Sequence, residues 1–360
     1  MSQGPMRYSP INQTRSAMRK KRLNNQKNVL VLIVTALIIF TLFFTVLLIS
    51  LSVASAKHRN DLNNTDSSES GNASISENGS ESIPGSESGS DSPIGDFTYK
   101  LKDFSESAMH LGPLVIINDE NEYTFADEKS VLGIRERRVK NSAGVALYAL
   151  GTWEMYLRND AINALNALVK DFYGDCDDQY ITVIAAYRNY KDQEASYNRY
   201  PDASPKPGFS DYHSGYSFDI IARVIKDDSE FNNKASSLFT SFSEKGLTEC
   251  YKYGLINRYP SGKADITGDY EDHLRYVGIP HAYIMNEMGY CLEEYIDYVR
   301  MHMVDDKHIK YDIDGVGSYD IYYVPATSGG ITKVPVPEGD YEYTVSGDNC
   351  GGFIVTVKTK

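Results

Sequence analysis

The stretch that decides the fold is residues 257–296, NRYPSGKADITGDYEDHLRYVGIPHAYIMNEMGYCLEEYI. Its pattern predicts a strand over DHLRYVGI (272–279) and a helix over 281–303. Working outward, we predict a further helix over 234–254, strands over YSFDIIARVI (216–225) and YITVIAAYR (180–188), and an amphipathic helix over 153–173. This order lacks the regular alternation of a doubly wound sheet. It predicts an α+β fold in which helices pack on an antiparallel sheet.

Two outlying stretches complete the predicted globular part, which begins near residue 96. GPLVIINDENEYTF (112–125) predicts a short strand followed by a turn. Residues 304–360 form a C-terminal β region, because 319–360 alternates apolar and polar residues between Gly and Pro turns. This small β appendage is either a separate module or an extra sheet on the main domain, 96–303, and the pattern leaves both open.

The N-terminal part predicts a membrane anchor. Residues 1–28 carry seven Arg or Lys and no acid, and residues 29–56 form an apolar stretch of more than twenty residues without a charge. Basic residues before an anchor favour a cytoplasmic N-terminus, so we expect a single-pass protein of the cell membrane whose C-terminal domain is extracytoplasmic. A cleaved signal peptide is the alternative, although the apolar stretch is about twice as long as the apolar region of a usual signal peptide.

The segment between the anchor and the domain predicts a flexible tether. Residues 57–95 are rich in Ser, Gly, Asn and acids and contain no aromatic residue, so they cannot bury enough surface to fold. The whole chain has a net charge of −13, and because the tail at 1–28 contributes +7, the rest of the chain carries −20. An acidic ectodomain excludes nucleic acid as the expected partner, because phosphates need a basic face.

Three segments carry candidate chemistry: AAYRNYKDQ (185–193), GFSDYHSGYSFDI (208–220) and the stretch 257–296. A zinc hydrolase needs three protein ligands from His and carboxylates, an open position for water and a nearby general base. The second segment supplies His213 and Asp219, and the third supplies His273. A His and an Asp six residues apart are more often structural than metal-binding, so the spacing alone does not establish a site.

Taken in order, these segments resemble the VanY-type zinc D-alanyl-D-alanine carboxypeptidases, the family that includes the VanX dipeptidases. The most specific part is RYP-GK-ITG followed by H-RYVG-PHA and LEEYI. The family pattern is S-x-H-x-x-G-x-A-x-D with E-P-W-H, in which two His and the Asp bind zinc and the Glu activates water. The resemblance implies that Asp219 and His273 are zinc ligands and that Arg188 holds the substrate carboxylate. Gln193 and Ser210 are the further substrate-binding candidates.

The chain departs from the family pattern at two functional positions. The first zinc ligand of the family falls on Tyr212, and His213 stands one residue later. The general base of the family falls on Tyr270, and Glu271 stands one residue later. A phenol can bind a metal as phenolate, but an ordinary pKa near 10 requires strong activation.

Two interpretations follow. In the leading one, both loops have shifted by one residue, so that His213, Asp219 and His273 hold zinc and Glu271 is the general base. The protein would then remove a C-terminal D-alanine from peptidoglycan stem peptides. In the alternative, the zinc site has been lost and the cleft at Arg188 binds wall peptides without hydrolysis. A third possible function is that of a structural scaffold protein, which would contact its partners through the β strands predicted at 319–360.

Overall fold

The structure is a computed structural model, and it describes residues 97–173, 181–222, 248–267 and 273–360. The predicted basic tail (1–28), anchor (29–56) and linker (57–95) lie outside the described residues, as do Tyr270 and Glu271. Within these four ranges, no helix has the length and apolar character that crossing a membrane requires.

The elements of the described residues are numbered in chain order. The strands are β1 (Tyr99–Ser105), β2 (Leu132–Gly133), β3 (Tyr148–Leu150), β4 (Tyr156–Leu157), β5 (Ile181–Ala185), β6 (Ser217–Ala222), β7 (Leu255–Asn257), β8 (His273–Tyr276), β9 (Ile309–Ile313), β10 (Gly317–Pro325), β11 (Ile331–Pro337), β12 (Glu342–Gly347) and β13 (Gly352–Lys358). The α-helices are α1 (Asn159–Tyr173), α2 (Tyr190–Arg199), α3 (Ala264–Thr267), α4 (Ile279–Met288) and α5 (Leu292–Arg300). Short 3-10 helices cover Glu106–His110, Arg135–Arg137, Asp211–Ser214 and Cys250–Tyr253.

The central sheet has five strands in the order β3-β5-β6-β8-β7. Strands β3 and β5 are parallel, and the other neighbours are antiparallel. Helix α1 packs on one face of this sheet, where Leu165, Phe218 and Leu274 belong to one buried cluster and are fully buried. The predicted α+β fold with an antiparallel sheet and packed helices is confirmed. The opposite face carries the polar residues described below.

The C-terminal strands pack on the main domain as an additional sheet. Strands β12-β13-β10-β9 form an antiparallel sheet of four, and β11 pairs with β1 from the start of the domain. A second buried cluster joins Ile296 of α5 to Ile321 of β10 and Ile354 of β13. Because these side chains share one apolar core, the structure favours the extra sheet over the separate module.

Three sequence expectations differ from the structure. The helix predicted over 153–173 begins only at Asn159, because Tyr156 and Leu157 pair with β2 as strand β4. Residues 112–125 contain no strand, and the buried segment 114–117 is irregular. Its backbone bonds mainly to side chains instead of a strand ladder: Arg275 Nη2 donates to Pro113 O (3.0 Å) and Val115 O (2.9 Å), and Asn349 Nδ2 donates to Ile116 O (2.8 Å). The Ile116 N–H donates to the backbone carbonyl of Asp348 (3.0 Å). The helix predicted over 281–303 is divided into α4 and α5 at Gly289, whose φ is +65°.

The helix predicted over 234–254 falls largely outside the described residues. Its described end is the 3-10 helix Cys250–Tyr253, which leads into β7. No disulfide joins the three cysteines in the described part of the chain, Cys250, Cys291 and Cys350. Cys291, the N-cap residue of α5, is buried.

Candidate active site

Antiparallel pairing of two strands brings together the two strongest ligand candidates. Asp219 of β6 lies directly opposite His273 of β8, and Ser217 lies opposite Arg275 two residues along. Side chains two residues apart share a face of a sheet, so these four polar residues lie on the face opposite the α1 core. His273 Nδ1 lies 2.8 Å from Asp219 Oδ1.

A tight turn delivers Tyr212 to the same point. The 3-10 helix Asp211–Ser214 ends at Gly215, which has a φ of +73° and whose N–H donates to Tyr212 O. A side chain at Gly215 would be strained by this φ, and its Cβ would lie 2.8 Å from Val131 Cγ1. The Tyr212 hydroxyl donates a hydrogen bond of 2.6 Å to Asp219 Oδ2. The three family ligand positions therefore converge, with a phenol where the family has an imidazole.

The electrostatics of this group favour protons on both rings. Burial alone would lower the pKa of His273, but its hydrogen bonds to Asp211 and Asp219 raise that pKa above the ordinary value. Burial and the charge of Asp219 raise the pKa of Tyr212 well above 10. Both shifts favour the protonated form of each ring beside Asp219, and the Tyr212 hydroxyl donates to it.

Behind His273 lies a buried cluster of charges. Asp211 is 2% exposed, and it accepts a hydrogen bond from Arg275 and another from Ser217. Arg258 Nε lies 3.5 Å from Asp211 Oδ1, and Arg258 also forms an ion pair with Glu293. Burial opposes the charge of Asp211, but the two arginines hold the pKa of its carboxyl well below the ordinary value. Asp211, Arg258 and Arg275 are not among the site residues predicted from the sequence.

Arg188 stands between the end of β5 and helix α2. Its Nη1 donates to Gln193 Oε1 (3.2 Å) and to Ser196 Oγ (3.3 Å), and its guanidinium lies over the Tyr212 ring at 4.3 Å. Both hydrogen-bond partners are neutral. Among the described residues, no Asp or Glu forms an ion pair with Arg188, so its charge is available for a carboxylate beside the Asp219–His273 pair.

The other two predicted substrate-binding residues have different surroundings. Gln193 is fully buried, and its Nε2 donates to Ser204 Oγ (2.8 Å) and Pro205 O (2.7 Å). Its role in the structure is to orient Arg188. Ser210 is also fully buried, and its Oγ has no hydrogen-bond partner in the part of the chain that is described. A buried hydroxyl without a partner is costly, which is consistent with a position that a ligand completes.

The structure does not bring His213 to the other two predicted ligands, and this corrects the sequence interpretation. His213 Nε2 accepts a hydrogen bond from Gly208 N–H (3.0 Å), and Nδ1–H donates to Arg188 O (2.6 Å). Its ring packs against Phe125, with the centroids 4.7 Å apart. Burial lowers the pKa of His213 to about 4, so the ring is neutral. Because the backbone uses both nitrogens, His213 holds the loop in place rather than a metal.

Asp219, His273 and Tyr212 are the donors that this point of the structure offers to the zinc ion that the family pattern implies. No group of three His, Cys, Asp or Glu among the described residues is arranged to hold a metal. His273 and Asp219 are nevertheless oriented as zinc ligands would be. The Nδ1 atom of the His273 ring faces Asp219, and its Nε2 atom faces the buried carboxylate of Asp211. Two ligands of tetrahedral zinc lie roughly 3.3 Å apart, against 2.8 Å here, so a small displacement suffices. The third donor at this point is the oxygen of Tyr212.

Comparison with known proteins finds a matching family model and a similar relative. A family model described as VanY, D-alanyl-D-alanine carboxypeptidase, matches residues 154–279. The D-alanyl-D-alanine carboxypeptidase of Enterococcus faecium is 30% identical over 259 residues, which cover 71% of this chain and 78% of the relative. The latter match includes most of both proteins.

One solved structure shows the same fold. The crystal structure of the vancomycin resistance D,D-dipeptidase VanXYg, in complex with a D-Ala-D-Ala phosphinate analog, matches with a TM-score of 0.57 at 23% identity. The match covers 72% of this chain and 99% of that one. A VanY D,D-pentapeptidase solved in complex with Zn(II) matches at 24% identity over 51% of this chain and 98% of that one, with a TM-score of 0.35. From the identity and coverage of the curated relative, the chain belongs to the D-alanyl-D-alanine carboxypeptidase (VanY) family of hydrolases.

Proposed function

We propose that this protein is a D,D-carboxypeptidase that removes the C-terminal D-alanine from peptidoglycan stem peptides. The observation that carries the proposal is the position of Arg188. An arginine that forms no ion pair with a described carboxylate lies over Tyr212, next to the Asp219–His273 pair. A peptide whose terminal carboxylate binds Arg188 would present its last amide bond to that pair.

Binding of the terminal carboxylate uses the rigid fork of the arginine. Gln193 and Ser196 accept from Nη1 and so fix the plane of the guanidinium, which favours bidentate recognition of a carboxylate. Ser210 Oγ is a further donor that a bound peptide could satisfy. Because all the hydrogen-bond partners that Arg188 has in the described residues are neutral, the incoming carboxylate meets an uncompensated charge.

Asp219 and His273 would hold the metal ion, with the oxygen of Tyr212 as the third donor. A bound zinc ion supplies a Lewis acid that polarises the scissile carbonyl and lowers the pKa of water. The chain has to provide the general base. We propose Glu271, which lies outside the described residues, because it is two residues before His273 and an extended backbone would place both side chains on one face.

A second candidate function is binding of wall peptides without hydrolysis. The observation that favours it is the hydrogen bond from the Tyr212 hydroxyl to Asp219, together with the raised pKa of that phenol. A neutral phenol is a weak metal ligand, so the site would keep the carboxylate grip of Arg188 and lose the ion.

We further propose that the protein works at the outer surface of the cell membrane. The apolar stretch at 29–56 would anchor it with the N-terminus in the cytoplasm, and the linker at 57–95 would give the domain reach to the wall. Peptidoglycan stem peptides would then be the partners of the domain.

The experiment that separates the two candidates is release of D-alanine by the purified full-length chain from a pentapeptide ending in D-Ala-D-Ala. The hydrolase predicts release that a chelator stops and added zinc restores, and Glu271→Gln should abolish release while zinc stays bound. Peptide binding without release, unaffected by the chelator, would establish the non-catalytic function. Absence of both release and peptide binding would refute both candidates.

A further inference from the structure

A buried carboxylate stands on the far side of His273 from Asp219. Asp211 Oδ2 lies 3.2 Å from His273 Nε2, and Asp219 Oδ1 lies 2.8 Å from Nδ1. The two nitrogens of an imidazole are distinct, and the bond that one makes decides which state the other presents. Asp211 therefore contacts the nitrogen that the predicted metal position does not use.

The carboxylate of Asp211 is held in one orientation from several directions. Ser217 Oγ donates to Oδ2, the oxygen that faces His273. Arg275 Nη1 donates to Oδ1, and Arg258 Nε lies 3.5 Å from the same oxygen. All of these partners are donors, and all are buried. The arginines are fixed in turn, since Arg275 binds two backbone carbonyls and Arg258 binds Glu293.

We infer that Asp211 is a positioning residue for the metal site: it holds the proton of His273 on Nε2 and fixes the ring so that Nδ1 faces Asp219 and the Tyr212 hydroxyl. This inference rests on the proposed function, because it concerns the ion that Asp219 and His273 would share. A carboxylate behind a histidine ligand fixes its tautomer and orientation and raises its basicity. Removal of such a partner typically lowers metal affinity 10- to 100-fold.

A purely structural role makes a different prediction. Asp211 also balances the charge of Arg258 and Arg275, which tie segment 113–117 and helix α5 to the sheet. If that were its whole role, a substitution would lower stability and leave the zinc affinity of the folded protein unchanged. Metal affinity, measured alongside unfolding, is therefore the quantity that separates the two roles.

The experiment compares Asp211→Asn with a matched control, Asp320→Asn, in the full-length protein. Asp320 is 1% exposed and also accepts from a buried histidine, with His308 Nδ1 2.6 Å from its Oδ1, but it lies in β10 of the C-terminal sheet. Zinc affinity is measured by competition with a chromophoric chelator. We expect Asp211→Asn to weaken zinc binding about 10- to 100-fold. The amide of an asparagine carries two N–H donors, which cannot bond to neighbours of Asp211 that are themselves donors. Asp320→Asn should stay within about twofold of the wild type.

The outcomes are distinguishable. If wild-type protein binds zinc and folded Asp211→Asn binds it equally well, Asp211 is not a positioning residue, while the proposed function stands. If wild-type protein binds no zinc, the hydrolase proposal and this inference both fail. If Asp211→Asn does not fold, Ser217→Ala carries the test, because it removes one anchor of Oδ2 and keeps both ion pairs. It should weaken zinc binding about three- to tenfold, and unchanged binding would overturn the inference.

Discussion

Replacing Arg188 by alanine should weaken the use of a peptide with a free carboxyl end roughly 10- to 150-fold. The magnitude comes from the hydrogen bonds of a charged pair, which contribute about 1.5–3 kcal/mol, and each 1.4 kcal/mol is tenfold. The upper part of this range applies if the grip is bidentate. Arg188 is half-buried, forms no ion pair with a described carboxylate, and has an orientation already set by Gln193 and Ser196. Little of its charge is therefore compensated before the substrate binds.

The assay measures kcat/KM for D-alanine release, or Kd if the protein only binds, with the free peptide and with its C-terminal amide. Wild-type protein should prefer the free acid by the same factor that Arg188→Ala loses, and the variant should treat both peptides alike. Arg199→Ala is the matched control, because Arg199 is exposed at the other end of α2 and also stacks on a tyrosine, Tyr200. Arg188→Ala with an undiminished preference for the free acid would refute the assignment.

Three further predictions concern the metal position, the pH dependence and the core. Tyr212→His restores the family ligand, so we expect zinc affinity to rise at least about tenfold, measured by chelator competition; lower affinity would show that the phenol itself is required. Burial lowers the pKa of His281 to about 3, so below pH 6.5 the unfolded state binds the extra proton and stability falls as the pH drops. Urea titrations should show that the free energy of unfolding of the wild-type protein falls by about 2 kcal/mol more than that of His281→Gln between pH 7 and pH 5. Equal losses in the two proteins would contradict the lowered pKa of His281. Ile321→Ala should lower the free energy of unfolding by about 2–5 kcal/mol in one cooperative transition, whereas two transitions would show that the C-terminal sheet unfolds separately.

Local pattern was sufficient for most of the central sheet. The strands predicted around 180–188, 216–225 and 272–279 correspond to β5, β6 and β8, because β-branched runs bounded by polar turns favour an extended backbone in almost any context. The same pattern failed at 112–125, where apolar residues are buried without a strand. Arg275 and Asn349, each more than a hundred and fifty residues away in sequence, supply the hydrogen bonds that a neighbouring strand would otherwise give.

The sequence by itself determined the family, the candidate ligands Asp219 and His273, and the candidate substrate-binding residue Arg188, since each stands in a motif of fixed spacing. Only the tertiary structure decided between Tyr212 and His213. The two are adjacent in the chain, but the turn closed by Gly215 sends the Tyr212 hydroxyl to Asp219 and the His213 ring to the backbone at Gly208. Asp211 likewise became part of the site only when strand pairing placed His273 and Arg275 beside it. Spacing along a chain specifies which residues are near a turn, whereas the direction of each side chain depends on partners that folding brings from elsewhere.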